Sequence, residues 1–97
     1  MINISKVDIA KTLIEEGYNS NEAEIVSEEI VKIDETLEPY FYEWWNKKPL
    51  SRIKINDISV QDLEEKFKLK PLATILTLDW LIKEPEKAKS ALKYGKR

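Results

Sequence analysis

The segment from Pro71 to Lys83 reads PLATILTLDWLIK and carries only two charged side chains. Its apolar residues fall on almost every side of a helix, which is the pattern of a helix buried at the centre of a domain. Pro71 suits the first helical position, because the N–H that proline lacks would have no partner there. The sequence therefore predicts a central helix over residues 71–83, with the rest of the chain packed around it.

A first helix is predicted over residues 5–16. Ser5 and Asp8 have the spacing of a capping box, in which two side chains accept hydrogen bonds from each other's backbone N–H groups. Apolar residues then recur at steps of three and four. Gly17 suits the position just after this helix, where the backbone takes a positive φ that glycine adopts at low cost.

A long helical stretch is predicted over residues 20–47. Asn19 or Ser20 is the expected cap, and apolar residues continue at helical spacing along the whole stretch. Pro39 interrupts this run, and a proline inside a helix costs about 3 kcal/mol. We therefore expect a kink or a break near residues 36–38, with Thr36 as a candidate cap for the second part.

Residues 50–58 form the connector between the long stretch and the later helices. They lack helical caps, and Ile53 and Ile55 alternate with polar residues, which is typical of extended chain. The rest of the chain contains no second convincing strand, and an isolated strand does not make a stable sheet. We therefore expect an extended connector with at most one short strand.

Two further helices flank the central one. Ser59 and Asp62 have the spacing of a second capping box, which predicts a helix over residues 59–67. Pro85 suits the start of a last helix, and Gly95 suits its end. Both of these helices carry apolar residues on one side, so they are expected to pack against the central helix.

The composition fits one globular domain. Of the 97 residues, 42% are hydrophobic and 35% are charged, with a net charge of −2. Disordered chains have fewer apolar residues and a larger net charge. We therefore expect an all-α fold over residues 1–97, a compact single-domain bundle of four to five helices with an extended connector around residues 50–58.

The chain offers few residues for catalysis. It has no Cys and no His, which excludes disulfides and the metal sites and nucleophiles that are built on these side chains. Adjacent carboxylates such as Glu15 and Glu16 diverge by about 100° on a helix and do not converge on a substrate. Asp79, within the apolar central helix, is expected to have a capping or an ion-pair role at the helix edge, with a Lys as one candidate partner. We expect no enzyme activity, and no catalytic, cofactor-binding or metal-binding residues.

The sequence also favours a cytoplasmic protein outside the membrane. No basic and apolar leader pattern follows Met1. The longest uncharged run, residues 71–78, is much shorter than the roughly 20 residues of a membrane-spanning helix. Ile and Lys greatly outnumber Ala and Gly, a bias typical of AT-rich coding. This bias suggests a low-GC bacterium, or a phage or mobile element that lives in one.

The small net charge conceals an asymmetry between the two halves of the chain. Residues 1–46 contain 11 acidic and 3 basic residues, whereas residues 47–97 contain 7 acidic and 13 basic ones. The halves could pack against each other with complementary charges, which is the simpler explanation. They could also present faces of opposite charge to partners.

The most conspicuous candidate for binding is the run YFYEWW over residues 40–45. Most of its rings form one stripe on a helix, and such a stripe is usually the buried face. Two neighbouring Trp rings are nevertheless hard to bury together in a small domain, and Trp and Tyr are enriched at interfaces. Tyr42 lies off the stripe, so its ring is expected to be partly exposed. The candidate partner-binding residues are Tyr40, Tyr42, Trp44 and Trp45.

Residues 59–71 read SVQDLEEKFKLKP, and apolar residues follow at Leu78 and Leu81. This pattern resembles the helix-turn-helix of winged-helix transcriptional regulators, over about a quarter of the chain. The resemblance implies that residues 71–83 are a recognition helix and that the protein binds DNA. The residues that would form the small core of this unit are Leu63, Phe67 and Leu69.

Several positions depart from that pattern. The family favours Ala, Gly, and Ser or Thr where this sequence has Glu64, Lys68 and Lys70. The positions that would face the major groove carry no side chain suited to reading bases, which is usually done by Arg, Lys, Asn or Gln. These positions are Leu72, Ala73, Ile75, Leu76 and Thr77. The candidate phosphate contacts are Lys66, Lys68 and Lys70, although the pI of 5.3 argues against a dedicated nucleic-acid surface.

The features together favour a small intracellular interaction protein, an adaptor or inhibitor of another protein. The aromatic run would anchor the partner, and the acidic surface of residues 20–38 would steer it. Two alternatives stay open. One is a nucleic-acid-associated regulator that uses the helix-turn-helix-like unit, and the other is a self-associating protein, such as a homodimer with the aromatic stripe at its two-fold seam.

Overall fold

Helices make up most of the structure, a computed structural model that describes residues 2–94. The described part holds six α-helices, one 3-10 helix and one small hairpin, within 33 × 26 × 22 Å. In chain order they are α1 (Lys6–Glu15), α2 (Ser20–Ile30), the 3-10 helix (Glu35–Leu37), α3 (Glu38–Trp45), β1 (Lys54–Ile55), β2 (Ile58–Ser59), α4 (Val60–Lys66), α5 (Pro71–Lys83) and α6 (Pro85–Tyr94). The expected compact, mostly helical fold is confirmed. The expected helix end at Gly95 lies outside the described residues.

The core is built around α5, as the sequence predicted. Leu72, Ile75, Leu78 and Leu81 on this helix are all at most 1% exposed. Buried residues from every other α-helix join the same cluster, including Phe41 of α3. No helix within residues 2–94 is long and apolar enough to cross a membrane.

The predicted caps are present at the starts of three helices. The Ser5 side chain accepts from the N–H of Asp8 at 3.1 Å, and Asn19 forms a full capping box with Glu22. Ser59 forms another capping box at the start of α4. Each of these side chains satisfies a backbone N–H that has no partner within its own helix.

The stretch over residues 20–47 is two helices, and the break lies earlier than Pro39. Helix α2 ends at Ile30, and Asp34 caps the 3-10 helix that leads into α3. Asp79 of α5 holds this break, because its Oδ1 accepts from the N–H of Asp34 at 2.9 Å. The Lys83 ammonium donates to the carbonyl of Lys32 at 2.9 Å. Residues 2–94 therefore hold six α-helices, above the expected four to five, because the stretch is broken rather than kinked. The break lies at residues 31–34, before the expected residues 36–38, and Asp34 rather than Thr36 is the cap.

The connector contains a hairpin of two very short strands. Lys54 pairs with Ser59, and Ile55 pairs with Ile58 in antiparallel register. Asn56 and Asp57 between them have φ values of 51° and 68°, as a type I′ turn requires. The Asn56 amide donates to the carbonyl of Leu81 at 2.9 Å, which ties the hairpin to α5. The expectation of at most one strand is therefore wrong.

Candidate functional site

The aromatic run supplies part of the core. Phe41 is fully buried and Trp44 is only 7% exposed. The Trp44 indole donates to Glu16 Oε1 at 3.3 Å, so its one polar atom has a partner inside the protein. The Phe41 ring contacts its neighbours at centroid distances of 5.0 Å to Tyr42, 5.7 Å to Trp44 and 6.1 Å to Trp45.

The other candidate residues of this run keep part of their surface free. Tyr40, Tyr42 and Trp45 are half-buried against the core. The Tyr42 hydroxyl accepts from the N–H of Asn3 at 2.9 Å, so it fixes the segment that precedes α1. The four candidate partner-binding residues thus share α3, where Trp44 points into the core and the rest lie at its edge.

The residues that carry the helix-turn-helix resemblance form a corner between α4 and α5. Lys68 has a φ of 59° in its turn, and the N–H of Leu69 donates to the carbonyl of Leu63 at 3.2 Å. The left-handed residue stands at the position where the regulators favour Gly. Only Glu84 separates α5 from α6, so in the described part of the chain no β-hairpin wing follows α5.

The three candidate phosphate contacts, Lys66, Lys68 and Lys70, are all exposed around this corner. The Lys70 ammonium lies 4.5 Å from the centroid of the Tyr18 ring, a cation–π contact between the start of α5 and the α1–α2 turn. Of the expected groove-facing positions, Leu72 and Ile75 are buried, whereas Ala73, Leu76 and Thr77 are half-buried. The partly exposed side of α5 therefore offers apolar surface and no base-reading side chain.

Helix α5 is not covered all round, contrary to the expectation from its composition. Ala73, Leu76, Thr77 and Trp80 stand at i, i+3, i+4 and i+7 and form one stripe on its outer side. Trp80 is 37% exposed, more than any other Trp or Phe in the described part. Its indole N–H donates to Glu84 Oε1 at 3.1 Å, which orients the ring along the helix.

Helix α2 lies beside α5 and runs in the same direction. Lys70, at the start of α5, contacts Tyr18 just before α2. Asp79, near the end of α5, bonds Asp34 just after α2. A groove of about 470 Å³ runs along α5 and reaches α2 at Glu29. It is lined by Glu29, Leu76, Thr77, Asp79, Trp80, Lys83 and Glu84.

The outer side of α2 continues this surface. Glu22, Ile25 and Glu29 stand at i, i+3 and i+7, which places them on one side of the helix. Ile25 is 62% exposed and stands one turn before Glu29, which lines the groove. We call the surface formed by the α5 stripe and these three α2 residues the α2–α5 face.

The α2–α5 face is electronegative. Helix α2 contains four Glu and no basic residue. Lys83, the only cation among the groove-lining residues, pairs with Asp79 Oδ2 at 3.0 Å. Glu29 and Glu84 are both exposed at the groove. The unbalanced charge of the face is therefore negative.

Two pKa shifts mark the surroundings of α2. Burial, followed by the charges of Glu16 and Glu22, raises the pKa of Tyr18 above its ordinary value. Hydrogen bonds from the hydroxyl and the N–H of Thr36 lower the pKa of Asp34. Neither group lines the groove.

Other surfaces are weaker candidates for a binding site. A groove of about 300 Å³ between α4 and α6 mixes acidic, basic and apolar side chains, including Asp62, Lys66 and Phe67. Within residues 2–94, no group of three or more carboxylates is arranged to hold a metal ion. The α2–α5 face is therefore the best candidate site.

The sequence-based candidates missed Trp80, which was treated as part of an all-round apolar helix. A signal for it existed. Trp80 and Glu84 stand at i and i+4 near a helix end, a spacing that lets an indole N–H reach a carboxylate at the surface.

Comparisons with known proteins do not identify a family for this chain. No family model matches the chain, and no curated protein or solved structure gives a significant match.

Proposed function

We propose that this chain is a non-enzymatic protein-interaction module, an adaptor or inhibitor that binds another protein through the α2–α5 face. The observation that carries the proposal is the exposed Trp80 ring in an apolar groove. Binding sites on proteins are concave and mostly apolar, with a few oriented polar groups. Trp is also among the residues most often found to dominate binding energy at interfaces.

The geometry supports Trp80 as an anchor that needs little reorganisation. Its indole N–H is already bonded to Glu84, so a partner has to cover the ring without supplying a new acceptor. Leu76 and Thr77 stand one turn away along the same stripe. Docking on a preformed surface avoids part of the entropy cost of association.

The aromatic run has a secondary place in this proposal. Tyr40, Tyr42 and Trp45 keep partial exposure and stay candidates for an additional contact. Trp44 is 7% exposed and has little surface to offer a partner. A homodimer seam on this stripe would have to rely on the three residues at its edge.

We further propose a cytoplasmic location and a phage or mobile-element origin. The origin is supported by the Ile- and Lys-rich composition and the small size of the chain. The location is supported by the absence of Cys from the sequence, which suits a reducing compartment.

A capture experiment tests the interaction. The tagged chain and its Trp80→Ala and Ile14→Ala variants are incubated with a low-GC bacterial lysate, with and without nuclease. Ile14 is the matched control, because it is also an exposed apolar residue but lies on α1. We expect a stoichiometric protein that survives nuclease, is lost with Trp80→Ala and is retained with Ile14→Ala.

Three results would contradict the proposal. The first is that no protein is captured by the unmodified chain. The second is capture that does not depend on Trp80. The third is a partner that disappears with nuclease and with Lys68→Glu and Lys70→Glu, which would favour the nucleic-acid alternative.

A further inference from the structure

We propose that the occupant of the α2–α5 face is a basic amphipathic helix of the partner protein, an inference that rests on the proposed function. Such a helix would carry apolar residues at i, i+3 or i+4, and i+7 on one side, with Lys or Arg on the flanks. Helix-in-groove recognition of this kind uses a hydrophobic groove between packed helices.

The shape of the face suits a helix. Helices α2 and α5 contain 11 and 13 residues, so they are about 16–20 Å long at about 1.5 Å per residue. They run side by side in the same direction, and a third helix laid over the groove would contact both. About three turns of an incoming helix would match this length.

An extended peptide fits less well, because it needs a free sheet edge for its backbone hydrogen bonds. In the part of the chain that the structure describes, the only strands are β1 and β2, with two residues each. Neither strand lines the groove. Helices have no free backbone groups along their sides, so α2 and α5 present only side chains to a ligand.

The apolar part of the face has helical spacing on α5 and one further apolar residue on α2. Ala73, Leu76 and Trp80 follow one another at i, i+3 and i+7 on α5, and Ile25 stands on α2. Side chains at these spacings form a ridge, and ridges of one helix pack into the grooves of another. The incoming apolar stripe would cover Leu76 and the Trp80 ring.

The negative charge of the α2–α5 face favours a partner helix with Lys or Arg on its flanks. Glu22 and Glu29 stand on either side of Ile25, and Glu84 stands beyond Trp80. The Lys83 ammonium is already held by Asp79 and by the carbonyl of Lys32. Lys87 lies 3.5 Å from Glu84, but both side chains are at least half exposed, so water screens this pair strongly.

A second copy of this chain is a weaker occupant. Its α1 also exposes apolar residues, with Val7 65% and Ile14 48% exposed. The same helix carries two Lys, one Asp and one Glu, so it has no net positive charge to complement the acidic face. A contact of α1 with the α2–α5 face would have to be made twice across a two-fold axis to close a dimer.

The test uses two synthetic helical peptides of about 15 residues with identical Leu positions. One has Lys and the other has Glu at all flanking positions. The probe is the indole N–H signal of Trp80 in the nitrogen-15 spectrum of the intact chain, assigned with the Trp80→Phe variant. We expect the Lys peptide to shift this signal and the amide of Ile25, with an affinity at least about tenfold above that of the Glu peptide.

Charge variants of the chain complete the test. Glu29→Lys should lower the affinity for the Lys peptide several-fold. The matched change Glu64→Lys on α4 should leave this affinity unchanged. Both residues are exposed, and a Lys in the last turn of α2 favours the helix. Raising the salt concentration from about 50 to about 500 mM should reduce binding of the Lys peptide, because exposed charges are screened.

The inference is overturned if both peptides bind equally, if neither binds, or if the shifts map to α1 or α4. Concentration-dependent self-association that is blocked by Trp80→Ala would instead identify a second copy as the occupant. The proposed function is judged separately. If the peptides fail but a captured partner still depends on Trp80, the basic helix is wrong and the interaction module stands.

Discussion

Lys68 holds a backbone conformation that most residues avoid. Its φ is 59°, and Lys47, just after α3, has a φ of 61°. At the end of α1 the same role falls to Gly17, with a φ of 105°. An L-residue with a Cβ loses about 1–2 kcal/mol in this region. Two of these three helix ends therefore carry local strain that the surrounding packing offsets.

This strain predicts that Lys68→Gly and Lys47→Gly each raise the free energy of unfolding by about 0.5–1 kcal/mol, because glycine removes the Cβ penalty but gains entropy in the unfolded chain. The measurement is urea denaturation of the purified variants. Lys11→Gly, in the middle of α1, is the control and should lower the free energy of unfolding by about 1 kcal/mol. Equal destabilisation by all three glycines would contradict this prediction.

At the scale of elements, tertiary bonds help to fix the position of the break between α2 and α3. Asp79, 8% exposed on α5, accepts the N–H of Asp34 and pairs with Lys83. These bonds hold the chain where the helical pattern of the sequence would continue. Removing a hydrogen bond to a charged group typically costs about 1.5–3 kcal/mol.

We therefore expect Asp79→Ala to lower the free energy of unfolding by about 1.5–3 kcal/mol and to speed amide hydrogen exchange in residues 31–37. Asp79→Asn should have a smaller effect, since its amide oxygen can still accept from Asp34. Glu64→Ala, an exposed change on α4, serves as the control. If Asp79→Ala were as mild as this control, the bonds from Asp79 would not be what holds the break.

At the scale of the whole molecule, one core receives side chains from every α-helix. The ion pairs Lys6–Glu28, Lys83–Asp79 and Lys87–Glu84 each join residues of the same half of the chain. The apolar cluster around α5 crosses between the halves instead. Burial of apolar surface is the dominant favourable term in folding.

The different burial of Trp44 and Trp45 predicts that their replacement by Ala destabilises the protein to different extents. Trp44→Ala should lower the free energy of unfolding by about 3–5 kcal/mol, because it leaves a cavity in the core. Trp45→Ala should cost about 1–2 kcal/mol, because its ring is only half-buried. Chemical denaturation followed by circular dichroism measures both. Equal losses would mean that the two rings are buried to the same extent in solution.

Local signals were sufficient to predict most of the helices. Side-chain caps at Ser5, Asn19 and Ser59 and prolines at the starts of α5 and α6 act over three or four residues, so they could be read directly from the chain. The Asn56-Asp57 turn carries a weaker local signal, because the usual type I′ pair includes a glycine and neither of these residues is one.

The candidate site could not be predicted in the same way. The sequence of an apolar helix such as α5 does not indicate which of its sides the neighbouring elements will cover. Trp44 and Trp45 also stand in an aromatic run, which is a more conspicuous sequence pattern than the single Trp80. The side that stays open depends on where α2 and α6 pack, and the end of α2 depends on Asp79, which lies 45 residues beyond Asp34. Caps act through bonds between near neighbours in the chain, whereas the exposure of Trp80 is set by the packing of elements that are distant in sequence.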